Sequence, residues 1–132
     1  MQRRSGWLLV VVLLVTLVLT ACGGDNAGEQ AATAVQPYLQ ALVDKDADTL
    51  ASVSCADWED DATLELDSFQ AVETRLDNVT CQASGTEGDS TLVQCSGSII
   101  ATYNNEDMAL DLGARTYVVT NEGGEYRVCG YQ

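Results

Sequence analysis

The period of apolar residues along the chain changes once. Between Val35 and Phe69 they recur at helical spacing, and from Val72 onward they fall at every second position. Val35, Tyr38, Leu39 and Leu42 occupy one face of an amphipathic helix. Pro37 breaks the interior of that pattern, so the regular helix is expected to begin near Gln36, or to bend there after an earlier start. Asp46 and Asp48 suit the N-terminus of a second, short helix with Leu50 and Val53 turned inward. Trp58, Ala62, Leu66 and Phe69, spaced four, four and three, predict a third helix; Glu59, Asp60 and Asp61 fill its first turn, where the dipole favours acids.

The period-two region reads as strands. Val72, Thr74 and Leu76 share one face, and Val79, Cys81 and Ala83 continue on a shifted one, as a bulge near Asp77-Asn78 would produce. Val93, Cys95, Gly97, Ile99, Ala101 and Tyr103 alternate through the next strand, and Asn104-Asn105 suit the positive-φ positions of a two-residue turn. Met108, Leu110 and Leu112 are expected to face inward, with a kink at Gly113. Val118 and Val119 lead to a turn at Asn121–Gly124, and Glu125–Tyr131 closes the sheet. Three N-terminal helices on a curved antiparallel sheet of four to five strands is an α+β pattern.

Ahead of this lies a different kind of apolar run. Arg3 and Arg4 precede Trp7–Leu19, thirteen residues interrupted only by Thr16, and small residues follow. This is the layout of a secretory signal, too short for the roughly 20 residues of a spanning helix. Leu19-Thr20-Ala21-Cys22 resembles a bacterial lipobox, which implies cleavage before Cys22 and lipid attachment to it. The expected division is a signal peptide at 1–21, a lipidated flexible linker at 22–32, where GGDNAGEQ has no apolar period, and one domain at 33–132. The lipid implies a membrane-anchored, extracytoplasmic protein of the cell envelope.

Charge narrows the partners. Beyond residue 21 four basic residues face twenty acids, a formal charge of −16. Nucleic acid, which requires clustered Lys and Arg, is excluded as a partner, and close adhesion to anionic lipid is disfavoured. The chain has no histidine, which removes the commonest acid–base residue and every Ser-His or Cys-His nucleophile. Asp67, Glu73 and Asp111 read as surface carboxylates, so no residue is nominated as catalytic. Asp44, Asp46 and Asp48 match the first positions of a calcium loop, but Thr49 stands where glycine is required and Cys55 where a bidentate Glu should be. A capped turn explains them better, and neither metal nor cofactor is expected.

Cys55, Cys81, Cys95 and Cys129 form an even set in an exported chain, which reads as two disulfides, while Cys22 is the odd one left for lipid. Four cysteines allow three connectivities. Cys81 and Cys95 lie at equal distance from a turn at Gly88, so they can face each other across a hairpin, which would leave Cys55 with Cys129.

Val35-Gln36-Pro37-Tyr38-Leu39-Gln40-Ala41-Leu42, then Asp46-Ala47-Asp48-Thr49-Leu50, and finally Gly124-Glu125-Tyr126-Arg127-Val128-Cys129 resemble the opening helices and closing strand of the nuclear transport factor 2-like (NTF2-like) superfamily, which includes SnoaL-like cyclases and ketosteroid isomerase. The resemblance favours pairing an early cysteine with a final-strand one, Cys55 with Cys129. It implies a cone of helices and curved sheet around a cavity, with Tyr38, Trp58, Phe69, Tyr103, Tyr117 and Tyr126 as candidate lining. The expected function is a tethered, non-catalytic module binding a small apolar ligand or an envelope protein. The alternatives are a cyclase- or isomerase-type enzyme, or a purely structural envelope protein.

Overall fold

The computed structural model describes residues 23–132, with side chains from Asn26 onward, so the Leu19–Cys22 motif and the apolar run before it lie outside the described residues. Three helices, α1 (Gly23–Asp44), α2 (Ala47–Val53) and α3 (Glu59–Ser68), precede five strands, β1 (Glu73–Glu87), β2 (Ser90–Tyr103), β3 (Glu106–Asp111), β4 (Thr116–Glu122) and β5 (Glu125–Tyr131). No helix among the described residues is long and apolar enough to cross a membrane.

The first helix departs from expectation at its start. It is continuous from Gly23, so Gly23–Gln30, expected as a flexible spacer, forms its opening turns. Gly28 sits where a Cβ would come within 3.1 Å of Ala83 Cβ, so these turns already pack on β1. Pro37 is inside the helix and neither starts nor ends it. Its ring lies on the exposed face, where water can satisfy the carbonyl that loses its partner, while Val35, Tyr38, Leu39 and Leu42 are fully buried opposite. The helix ends in a Schellman motif: Asp46 N–H donates to Ala41 O and Lys45 N–H to Leu42 O, with Lys45 at φ 59°. The Lys45 side chain is held in place by its Nζ, which donates to Val72 O at 2.6 Å.

The Asp46 carboxylate accepts from the Thr49 N–H at 3.0 Å and the Thr49 hydroxyl at 2.6 Å, capping α2. Asp44 instead accepts from Gln40, so these aspartates form a capped turn. Leu50 is buried and Val53 packs against the core. A 3₁₀ turn at Ala56–Trp58 leads into α3, whose Ala62 and Leu66 are buried where it packs on the other helices.

All strand pairings are antiparallel: β1 pairs with β2, the first half of β2 with β4, the second half of β2 with β3, and β4 with β5. The shift of face expected near Asp77-Asn78 is a β-bulge. The β1–β2 register slips between Asp77 and Thr80, and Asn78 takes φ 51°. Gly97 makes the bulge possible from the other strand, since it stands at φ 93° and a Cβ there would lie 2.5 Å from Asn78 O. Cys81 and Cys95 are register partners with Cα atoms 4.1 Å apart, and Cys55 and Cys129 are 4.9 Å apart; both pairs are disulfide-linked. A bridge from Ser54 to Val128, with Cys55 N–H donating to Val128 O at 2.8 Å, ties the helical layer to β5.

The third strand differs from the expected inward face. Of Met108, Leu110 and Leu112, only Leu112 is inside, in a 3₁₀ turn capped by the Asp111 side chain on Gly113 N–H. Both faces of β3 are exposed. The strand pairs only with the far half of β2, and the helical layer does not reach that far.

Candidate functional site

Four aromatic rings close on one another between α1, α3 and the last two strands. Tyr38 meets Tyr117 at 6.2 Å between ring centres, Tyr117 meets Tyr131 at 5.9 Å, and Tyr131 meets Trp58 at 5.6 Å, all edge to face. Trp58 Nε1–H donates to the Tyr38 hydroxyl at 3.0 Å, which completes the ring. Gly130 (φ 139°) supports it, for a Cβ there would meet the Trp58 ring at 3.5 Å.

The chain of donors ends on Glu65. The Tyr38 hydroxyl donates to Glu65 Oε2 at 2.9 Å, and Arg115 binds Oε1. Arg115 also lies over the Tyr131 ring, 4.1 Å from its centre. The Glu65 side chain is 9% exposed and that of Arg115 18%. Burial works against the charged Arg115, but the hydrogen bond and charge of Glu65 outweigh it and raise its pKa. Burial foremost, then the Glu65 charge, pushes the Tyr38 phenol well above its ordinary value. Burial pushes Tyr117 up to about 12, with Arg115 opposing. The Tyr117 hydroxyl is buried without a hydrogen-bond partner; Arg115 is near enough to act on its ionisation but is not in hydrogen-bond geometry.

Above this cluster an open pocket of about 470 Å³ is walled by Trp58, Asp61, Leu64, Glu65, Ser68 and Phe69 on one side and by Leu110, Arg115 and Tyr131 on the other. The expected lining residues therefore divide. Trp58 and Phe69 border the pocket. Tyr38 and Tyr117 have no accessible surface and are core, so neither can line a cavity that admits water. Tyr126 is a half-buried β5 residue packed on the core, and Tyr103 stands 60% exposed near the end of β2. Glu65, Arg115 and Tyr131, which make the pocket's chemistry, were not anticipated. Asp67, Glu73 and Asp111 are exposed, as expected of surface carboxylates.

The arrangement offers recognition more readily than acid–base chemistry. Glu65 is the carboxylate beside a tyrosine donor, yet Arg115 and Tyr38 already engage both of its oxygens. Arg115 borders the pocket, and a guanidinium has N–H groups beyond the one on Glu65, suited to a carbonyl or anionic acceptor on a ligand whose apolar body lies on Trp58, Phe69 and Leu110. Among the described residues Cys55, Cys129 and Glu122 have ligand atoms within 4.8 Å of one another, but the two sulfurs are spent in a disulfide.

No family profile and no curated protein matches this sequence. Among solved structures the chain is similar to a candidate dehydratase of the NTF2-like family from Streptomyces avermitilis, with a TM-score of 0.57 and 16% identity, over 81% of this chain and 94% of that one. At that identity the likeness is one of fold alone: the three helices and five antiparallel strands have the NTF2-like architecture.

Proposed function

We propose that the protein is a non-catalytic binding module, held at the outer side of a bacterial membrane by lipid on Cys22, with the pocket over Glu65 and Arg115 as its ligand site. One observation carries the binding reading: the pocket's buried carboxylate is neutralised by an internal cation and an internal phenol. Arg115 and Tyr38 hold one oxygen of Glu65 each, so a substrate proton would have to compete with an internal cation and an internal phenol for the carboxylate. What remains available to a visitor is Arg115, the Ser68 hydroxyl and apolar surface, with the Asp61 carboxylate at the rim, a set suited to recognition. The anchoring half of the proposal rests on Leu19-Thr20-Ala21-Cys22 and the apolar run before it.

Beyond residue 22 the chain has one tryptophan, Trp58, and it borders the pocket. Its fluorescence therefore reports occupancy directly. The test is native mass spectrometry of the full-length protein from its own host, followed by return of any co-purified molecule to the stripped protein. Recovery of an unchanged small molecule that shifts Trp58 emission supports the module, and Arg115→Met should weaken its binding by about tenfold or more. In parallel, Cys22→Ser should move the protein from the membrane to the soluble fraction. A variant that remained membrane-bound would sink the anchoring half.

A second reading, a small lyase or isomerase, is favoured by the 2.9 Å Tyr38–Glu65 hydrogen bond and by the name of the structural neighbour. It requires a substrate that displaces Arg115 from Glu65. Conversion of the recovered molecule by the wild type and not by Glu65→Gln would establish it over the first.

A further inference from the structure

Leu64, Tyr103, Met108 and Leu110 are large apolar side chains left exposed, at 67%, 60%, 71% and 37%, and the fold gathers them on one side. In the β2–β3 register Ile99 faces Leu110, Ala101 faces Met108 and Tyr103 faces Glu106. Directly paired residues share a face, and alternate residues along a strand do too. Tyr103, Met108 and Leu110 therefore lie on the face that carries the buried Ile99. This core face of the hairpin runs out from under the helices and stays bare. Leu64 on α3 joins it, bordering the same pocket as Leu110.

Two further features describe what can cover it. β3 pairs with β2 alone, so its outer edge presents unpaired backbone N–H and C=O groups, a template for an added strand. The rim is acidic: Asp61 on α3 borders the same pocket as Leu64 and Leu110, Glu106 on β3 shares the face of Met108, and both are exposed and make no ion pair among the described residues. The nearby cations are occupied, Arg115 by Glu65 and Lys45 by Val72 O.

We infer that this surface docks an extended segment of a partner protein that is both apolar and cationic. The segment adds to the free edge of β3 and sets alternate apolar side chains on Met108, Leu110 and Leu64. Its Lys or Arg residues meet Asp61 and Glu106. Charge complementarity selects this occupant. A second copy would bring the same acidic rim against itself on a chain of net charge −14, and an anionic lipid surface is repelled for the same reason. The surface is an addition to the ligand pocket, and it holds whether or not a small molecule enters there.

The test uses the full-length protein in detergent micelles and a labelled peptide of alternating Val and Lys, with a Val–Glu peptide of equal length as control. Fluorescence anisotropy should show micromolar binding of the Val–Lys peptide, at least tenfold tighter than the control. Hydrogen exchange should slow at residues 106–111. Met108→Ser with Leu64→Ser changes no charge and touches only exposed positions, and it should weaken binding at least tenfold. Unchanged binding in that variant would reduce the effect to diffuse charge attraction and overturn the inference. Protection at a different strand would do the same. Concentration-dependent self-association abolished by the same variant would assign the surface to a second copy instead, and would equally overturn it.

Discussion

The value of the Glu65–Arg115 pair depends on both members being present. A fully buried pair loses about 3–5 kcal/mol when one partner is removed, because the other charge stays desolvated; Arg115 keeps some contact with water, so about 2–3 kcal/mol is expected for Arg115→Met. Adding Glu65→Gln should recover most of that loss, since the amide oxygen can still accept from Tyr38 and no charge is stranded. Urea unfolding of the two singles and the double gives the answer, and additive effects would mean that the pair is not coupled. Both residues were legible in principle. Glu65 stands seven residues after Trp58 and three after Ala62, on the same stripe of α3 that predicts Leu66 and Phe69. Arg115 is in phase with Tyr117 and Val119. A charge at an inward phase is the signal for a buried pair, and a reading that sorts acids to the surface by residue type passes over it. The phenols supply a second prediction. Tyr38 and Tyr117 hold their protons above the ordinary value of 10.0, so the folded state binds more protons than the unfolded one in alkali. Their contribution is complete below about pH 10 and is lost as pH rises toward and through 12, so stability falls across that window. Phenolate absorbance should show two tyrosines ionising only together with loss of near-ultraviolet circular dichroism. Ionisation of all five near pH 10 in the folded protein would contradict this.

At the level of elements, period and turn chemistry located all three helices and the β-bulge because both are local. The Asp77-Asn78 bulge shows in the slip from Leu76 to Val79, and its counterpart Gly97 is required by position. Gly97→Ala would need both a left-handed φ and the space held by Asn78 O, so a loss of about 2–3 kcal/mol is expected in chemical denaturation. A neutral effect would show that the bulge can relax elsewhere. The disulfides act on the same elements at two ranges. Cys81–Cys95 closes a separation of 14 residues within one hairpin, whereas Cys55–Cys129 closes 74 and joins the helical layer to β5. Chain entropy gives about 3 and about 4 kcal/mol for such loops, so replacing the Cys55–Cys129 pair by alanines should cost more than replacing the other. What period could not convey was coverage. Alternation says that Met108 and Leu110 share a face with Leu112, but whether a helix lies over that face depends on where β3 stops relative to α3, a property of the assembled sheet. The same limit applies to Pro37, since its cost depends on whether the orphaned carbonyl meets water or core.

For the molecule as a whole, direction and charge govern how the domain presents itself. α1 runs opposite to β1: Gly28 packs near Ala83 at one end, and the Thr74 hydroxyl donates to Val43 O at the other. From Gly23 to Val43 a helix rises about 30 Å, so a tether before Gly23 would hold the β2–β3 hairpin tip roughly that far beyond the start of the helix. The four cations beyond residue 21 are each committed locally: Lys45 to Val72 O, Arg75 to Asp107, Arg115 to Glu65 and Arg127 to Glu125. Most of the twenty acids are left facing water with one another as neighbours, and the folded state concentrates them while the unfolded chain lets them separate. Salt should therefore stabilise the protein. Raising ionic strength from about 0.01 to 0.15 M shortens the screening length from roughly 30 to 8 Å, shorter than the distances over which scattered surface acids repel. Arg75–Asp107 and Arg127–Glu125 would weaken in the same change, but such exposed pairs contribute little. Net repulsion is the larger effect, and a gain of about 1 kcal/mol would appear as a rise in Tm of roughly 4–8 °C for a domain of this size. Thermal melts of the full-length protein in potassium chloride measure it, and a Tm that stayed flat or fell would mean that local pairs outweigh the overall charge.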